Sequence, residues 1–246
     1  MNKPLTIVIP MAGQGSRFAK EGWIVPKPLI EFGGKMMIEH VLDAFPNDLD
    51  ARFVLIIRED YLRDWDYQMD RLRQRPNVEF VTAKRVTQGA ACSVLLARQL
   101  FKDSSLLVAD SDTFYRNGVL GDFIEKIRHT NPDLGLITFQ SNHNCYSYVK
   151  LTKDNKLARI AEKQVISEHA ISGVYYFSDG DAFENAIIEA MIYNDRDKGE
   201  FYLSKIFGNL GADGKAVVLL HEINREDMLC TGTPAQLQDV IQRLEK

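Results

Sequence analysis

Cysteine is scarce in this chain. Its 246 residues hold three, Cys92, Cys145 and Cys230, odd in number and far apart. With no Cys-x-x-Cys pair they offer neither a disulfide framework nor a thiolate zinc site, and they suit a reducing compartment. The five histidines (His40, His129, His143, His169, His221) fall at no metal-ligand spacing, and no Ser/His/Asp or Cys/His set stands out. Positive charge is not in excess. The formal net charge is −4, which argues against nucleic acid as a partner. No apolar run nears the length of a membrane span and no signal-peptide core follows Met1, so the expectation is a cytoplasmic protein with no membrane partner. Repeats, low-complexity tracts and long linkers are missing as well. So are two familiar glycine-loop signatures. The dinucleotide fingerprint needs a third glycine where Phe18 stands, and no Gly-Lys-Ser/Thr tripeptide completes a P-loop.

What is present is an ordinary globular composition, 45% hydrophobic and 26% charged. A chain of this length can bury roughly 70–75% of its unfolded surface without a staple. Short aliphatic runs alternate with helix-period segments. Strands are predicted at Leu5–Pro10, Arg52–Arg58, Val78–Val81 and Leu106–Ala109, with helices at Met36–Phe45, Tyr61–Arg73 and Ala90–Leu100. Such alternation predicts parallel strands joined by crossover helices. The second half is richer in strands, at Leu134–Gln140, Tyr146–Leu151, Leu157–Ala161 and Ala170–Phe177. Helices at Ala182–Ile192 and Tyr202–Leu210 and a strand at Ala216–Leu220 follow. A last helix opens at Thr233-Pro234-Ala235-Gln236, a capping box with proline at the first helical position. The predicted fold class is α/β, one domain over 1–246 forming a three-layer sandwich on a mostly parallel, Rossmann-like sheet.

The densest signal is the stretch IPMAGQGSRFAKEGWIVPKPLI, from Ile9 to Ile30. A predicted strand ends at Pro10 and is followed at once by Gly13, Gly15, Ser16 and Arg17, with Lys27 held between Pro26 and Pro28. Glycines let the backbone approach a bulky anion and leave N–H groups free to meet it. Arginine adds a planar fork for phosphate oxygens, and lysine a mobile point charge. Ligands of parallel sheets collect at the carboxyl ends of the strands. A second such end carries Asp110-Ser111-Asp112. Two carboxylates brought together there call for a cation, and magnesium held by carboxylates and substrate phosphates fits. An Asx-turn capping the next segment is the plainer alternative.

Gly13-Gln14-Gly15-Ser16-Arg17-Phe18 and Pro26-Lys27-Pro28-Leu29 resemble, in order and spacing, the two halves of the signature of sugar-phosphate nucleotidyltransferases. The resemblance implies a glycosyltransferase-A-like nucleotidyltransferase fold, with about 1–130 as the nucleotide half and about 131–246 as the acceptor half. It makes Arg17 and Lys27 catalytic, and Met11, Ala12, Gly13, Gly15 and Ser16 nucleotide-binding. Thr87-Gln88-Gly89-Ala90-Ala91 is similar to the family's base-facing element, so Gln88, Gly89 and Ala90 join that set. An amide can donate and accept at once, which suits a base edge. Asp112 matches the family's metal-binding aspartate, with Asp110 beside it. Glu162-Lys163, followed by Gly173 in Ser-Gly-Val-Tyr-Tyr-Phe, looks like the acceptor element, with Gln164 in place of a proline.

Two departures stand out. The family's second metal aspartate falls at Cys230, and a neutral thiol is a poor magnesium ligand. Either Asp110 and Asp112 hold the ion with the phosphates, or Asp227 substitutes; we adopt the first. The family's acidic hydroxyl-binding pair falls at Tyr202 and Lys205. Lys205 could therefore meet an anionic group of the acceptor, or simply lie on a helix surface. The implied reaction is magnesium-dependent transfer of NMP from an NTP to a small phosphorylated acceptor, releasing pyrophosphate, with a lean to CTP. It would serve nucleotide-sugar synthesis for surface polysaccharide, with homo-oligomerisation left open. The alternatives are an Asp-x-Asp glycosyltransferase using a nucleotide-sugar, and a degenerate nucleotide sensor.

Overall fold

The computed structural model describes residues 3–245. Its first half alternates as expected: β1 (Leu5–Pro10), α1 (Ser16–Lys20), a hairpin of β2 (Glu31–Phe32) and β3 (Lys35–Met36), α2 (Met37–Asp43), β4 (Arg52–Arg58), α3 (Tyr61–Asp64), α4 (Asp66–Arg73), β5 (Val78–Ala83), α5 (Ala90–Leu95), α6 (Arg98–Phe101) and β6 (Ser105–Ala109). The second half comprises β7 (Thr113–Tyr115), α7 (Val119–Thr130), β8 (Leu134–Gln140), β9 (Tyr148–Leu151), β10 (Leu157–Ala161), β11 (His169–Phe177), α8 (Gly180–Ile192), α9 (Leu203–Gly211), β12 (Val218–Ile223), β13 (Met228–Cys230) and α10 (Pro234–Leu244).

Strands β6, β1, β4 and β5 lie side by side in parallel, and β11 joins the β6 edge antiparallel. Beyond it come β8, antiparallel to β11, and β12, parallel to β8. Where β6 ends, β9 takes its place along β11 and carries β10. The sheet is buried on both faces, so its central strands are continuously apolar. Leu5, Ile7 and Ile9 of β1 pack on one face with α2, α4, α7 and α10, while Val8 packs on the other with α5, α6, α8 and α9. That division makes three layers, as predicted.

Local differences have local causes. The predicted helix Tyr61–Arg73 breaks at Trp65, whose φ of −132° lets a half-buried indole pack on the core. The predicted Ala90–Leu100 helix divides around Leu96 and Ala97 into α5 and α6. Helix α7 lies outside the helices expected from sequence, although Val119, Leu120, Phe123, Ile124 and Ile127 make one buried stripe. No described helix is long and apolar enough to cross a membrane.

Candidate active site

The glycine loop leaves β1 at its carboxyl end and is tied down where it starts. Met11 N–H donates to the Ile56 carbonyl at 2.9 Å, and the buried Tyr61 hydroxyl donates to the Met11 carbonyl. Gly15 then takes a left-handed φ of +59°, and a Cβ there would sit 3.3 Å from the Cβ of Lys27. Glycine is therefore what lets the loop close against the Pro26-Lys27-Pro28 turn. Among the described residues the N–H groups of Gly13 to Arg17 have no hydrogen-bond partner within the protein, as a cradle for an external anion requires.

Lys27 occupies a short 3-10 turn fixed by the two prolines and by buried Leu29. Its side chain is only 15% exposed, and its ammonium is ion-paired with Asp112 and donates to the Gly232 carbonyl at 3.3 Å. Asp112 is placed by β7 and β13, an antiparallel pair in which Cys230 faces Thr113. The Thr231 N–H and hydroxyl both donate to the Asp112 carbonyl, at 2.7 and 2.8 Å. A Cβ on Gly232 would lie 3.5 Å from Cys230 Sγ and 3.7 Å from Asp112 Oδ2, so the thiol borders the carboxylate. Burial and the Asp112 charge push the Cys230 thiol up, keeping it neutral and no match for a hard cation.

Asp110 is held from the other side. Its N–H donates to the Gly173 carbonyl at 3.0 Å, where β11 bulges out of register with β8. Gly173 has a φ of +101°, and a Cβ there would come within 2.4 Å of Asp110 Oδ2, so only glycine leaves room for the carboxyl group. Burial first, then repulsion from Asp112, pushes Asp110 up to about 8, against the lowering effect of Lys27. A divalent cation would relieve both effects, and two hard oxygen donors with phosphate and water completing the shell suit magnesium. Among the described residues no group of three or more His, Cys, Asp or Glu side chains could hold a metal alone. Asp227 does not reach this place. It lines a separate surface cavity with Arg116, Asn117 and Arg225.

The raised Asp110 has a consequence for stability. An acid whose folded-state value is raised binds its proton more tightly when folded, so metal-free stability falls as pH rises from about 4 towards about 8. Asp110→Asn is expected to flatten that decline and raise the melting temperature at pH 8. A tenfold change in proton affinity is worth about 1.4 kcal/mol, and each kcal/mol about 2–4 °C. Thermal melts in EDTA across this pH range check it; an unchanged slope would contradict it.

Two cavities meet at the carboxylates. One, of about 520 Å³, is lined by residues from Pro10 to Ser16, by Lys27, by Val86, Thr87, Gly89, Ala90 and Ser93, and by Glu200. The other, of about 550 Å³, is walled by Tyr146, Ser147, Glu162, Gly173, Tyr202, Ser204, Cys230 and Gln236. Ala90, Asp110 and Asp112 line both. In the second cavity the Glu162 carboxylate accepts from the hydroxyls of Ser147 and Ser204, the latter at 3.0 Å.

The predicted residues divide accordingly. Met11, Ala12, Gly13, Gly15, Ser16, Gly89, Ala90 and Lys27 line the first cavity, and Glu162 and Gly173 the second. Arg17 lines the second cavity, not the first. Gln88 is exposed and lines neither; its carbonyl accepts from Phe201 N–H at 2.9 Å. The Lys163 ammonium lies 5.3 Å from the Tyr202 ring centroid and 4.0 Å from Glu162, two residues of the second cavity, but Lys163 itself lines neither cavity. Lys205 pairs with Asp195 at 3.0 Å, outside both cavities, so the surface alternative describes its position. Sequence reasoning missed Thr87, Ser93, Glu200, Tyr146, Ser147 and Gln236. Of these, Gln236 had a visible signal in its capping box, which marks only a helix start.

A crevice at the carboxyl ends of a mixed α/β sheet, divided by a carboxylate pair into two compartments, is the layout of a two-ligand nucleotide-handling protein. A profile of the nucleotidyl transferase family matches residues 7–246, and the chain belongs to that family. The nucleoside-diphosphate-sugar pyrophosphorylase from Vibrio cholerae RC9 superposes with a TM-score of 0.81 at 25% identity, over 96% of this chain and 99% of that one. The inositol-1-phosphate CTP transferase from T. maritima shares the fold, with a TM-score of 0.74 at 14% identity over 100% of this chain and 98% of that one. The bifunctional protein GlmU of Methanococcus maripaludis is 24% identical over 215 residues, 85% of this chain. Those residues are 47% of that protein, so this chain spans about half the length of the curated relatives it matches.

Proposed function

We propose that the protein transfers a nucleoside monophosphate from an NTP to a small phosphorylated acceptor, a sugar 1-phosphate or a comparable metabolite, and releases pyrophosphate. The observation that carries this is the sharing of Asp110 and Asp112 by two adjoining cavities, one walled by the glycine loop and one by Glu162 and the tyrosines. The NTP would occupy the first and the acceptor the second, with the α-phosphate at the boundary.

An acceptor phosphate oxygen attacks the α-phosphorus, the α–β bridging bond breaks, and pyrophosphate departs with that electron pair. The attacking phosphate is already anionic at neutral pH, so no general base is needed. Catalysis is positioning and charge neutralisation. The free N–H groups at Gly13–Ser16 bind phosphate oxygens, and Lys27 neutralises charge at the boundary. Arg17, from the rim of the second cavity, meets the acceptor phosphate or the departing pyrophosphate. Lys163 approaches the acceptor across Tyr202, and Glu162 accepts from its polar groups. Magnesium, held by Asp110 and Asp112, would add charge neutralisation at the phosphates. A glycosyltransferase releases a nucleoside diphosphate and never holds a departing pyrophosphate, so the glycine loop paired with Lys27 favours nucleotidyl transfer.

The test is pyrophosphate release from each NTP, CTP first, with magnesium and a panel of phosphorylated acceptors. Release that requires both substrates and magnesium is expected. Tight NTP binding with no release from any pair would mark a sensor instead, and transfer of sugar from a supplied nucleotide-sugar would mark a glycosyltransferase.

A further inference from the structure

Glu200 lines the NTP cavity, yet the loop carrying it lies far in sequence from every other lining residue. Asp197 and Glu200 exchange both backbone hydrogen bonds, at 3.1 and 3.0 Å, around Lys198 and Gly199, whose φ values are +48° and +87°. This is a two-residue hairpin turn of the type that needs left-handed backbone at both central positions. The next residue, Phe201, is clamped to the cavity wall. Its N–H donates to the Gln88 carbonyl and its carbonyl accepts from Ala91 N–H, at 2.9 and 3.3 Å. A Cβ on Gly89 would stand 2.5 Å from that carbonyl oxygen, so the two segments meet at backbone contact. Glu200 is thus rigidly mounted on the wall formed by Val86 to Ser93.

Its carboxylate is also uncommitted. The neighbouring Arg196 stacks on the Phe201 ring at 4.6 Å and donates to Asn194, and no side chain among the described residues pairs with Glu200. The hydroxyls on the same wall are engaged: Thr87 and Ser93 bond each other at 2.6 Å, and Thr87 reaches the Gly89 carbonyl. A free carboxylate beside a triphosphate would repel it, so the part of the donor that Glu200 meets is the nucleoside. Val86 and Ala90 give that wall an apolar surface suited to a flat ring.

Resting on the proposed function, we infer that Glu200 reads the base and selects donors that carry an exocyclic amine. A carboxylate only accepts hydrogen bonds. The amino groups of cytosine, adenine and guanine can donate to it, as cytosine N4 does to Glu and Asp in DNA recognition. Uracil and thymine carry carbonyl oxygens where cytosine has its amine, which repel a carboxylate and leave only the ring N3–H to donate, so they are disfavoured. Gln88, whose side chain would otherwise be the candidate base reader, does not line the cavity.

The experiment is a matrix of dissociation constants, from displacement of a fluorescent nucleotide, and of kcat/KM for CTP, GTP, ATP, UTP and the 2′- and 3′-deoxy forms of the best donor. It is run on the wild type and on Glu200→Gln, an exposed position where folding is not at risk. The wild type is expected to favour at least one amine-bearing NTP over UTP by roughly 10–100-fold. Glu200→Gln, whose amide can also donate to a carbonyl, is expected to reduce that ratio at least 5-fold. An unchanged ratio overturns the inference, as does a wild type that prefers UTP. A variant that weakens all ribonucleotides equally, while leaving the deoxy forms unaffected, assigns Glu200 to the ribose and also overturns it. Because binding is read separately, a protein that discriminates bases without turnover would leave Glu200's role standing and sink the transferase alone.

Discussion

Lys27→Ala is expected to lower kcat/KM by roughly 10²–10³-fold, the loss typical of removing one preorganised donor from a developing charge. Lys27 is the cation at the boundary of the two cavities, mostly withdrawn from water and paired with Asp112. A charge in that setting acts with less screening than one on the surface. Lys27→Arg is expected to restore little, since the guanidinium fork needs more room than an ammonium already held between Asp112 and the Gly232 carbonyl. The loss should fall on kcat more than on the dissociation constant for NTP, because the N–H groups of Gly13–Ser16 remain. Removing the ammonium also leaves the partly buried Asp112 carboxylate without its counter-ion. Lys27→Met with Asp112→Asn should therefore melt higher than Lys27→Met alone, yet stay inactive. Steady-state kinetics and melts of the four variants check both halves; activity in the double variant would contradict the role of Asp112.

Gly89→Ala is expected to be the most damaging small substitution. An alanine Cβ would lie 2.5 Å from Phe201 O and 2.7 Å from Phe201 N, and a φ of +125° is strained for any L side chain. The obstacle is backbone on both sides, so no rotamer change relieves it. Strain of about 1–3 kcal/mol and overpacking of a similar size give about 2–6 kcal/mol in all. At about 2–4 °C per kcal/mol for a domain of this length, the melting temperature should drop by roughly 4–24 °C. Gly13→Ala is the control, because nothing lies within 4 Å of its Cβ and its φ is not left-handed. Its melting temperature should hold while NTP binding weakens. A Gly89→Ala protein with wild-type stability would mean that the 88–91 and 200–201 segments do not dock as described.

The glycine-loop wall of the first cavity was legible because its residues are contiguous. The glycine loop and the prolines around Lys27 lie within one stretch from Ile9 to Ile30, and each residue's conformational role follows from its type. The alternation of strands and helices was legible for a similar reason, periodicity being local. The acceptor side depends on contacts between distant segments. Strand β13 sets Cys230 opposite Thr113 and β11 brings Gly173 onto Asp110, while on the NTP side Phe201, just after the Asp197–Glu200 turn, docks on Gln88 and Ala91. None of these pairings leaves a spacing that a sequence can display. Lys205 shows the converse: its match to a motif position pointed to the acceptor, and its partner Asp195, ten residues away, holds it on the surface.

The most direct measurement follows the phosphorus. The protein is incubated with magnesium, an active acceptor and NTP labelled with 32P at either the α- or the γ-phosphate, and the products are separated. Label from the α-position is expected in the acceptor adduct, and label from the γ-position only in pyrophosphate. Label from the γ-position in the acceptor, or α-label released as free NMP whether or not acceptor is present, would contradict a site built to cut between the α- and β-phosphates for transfer.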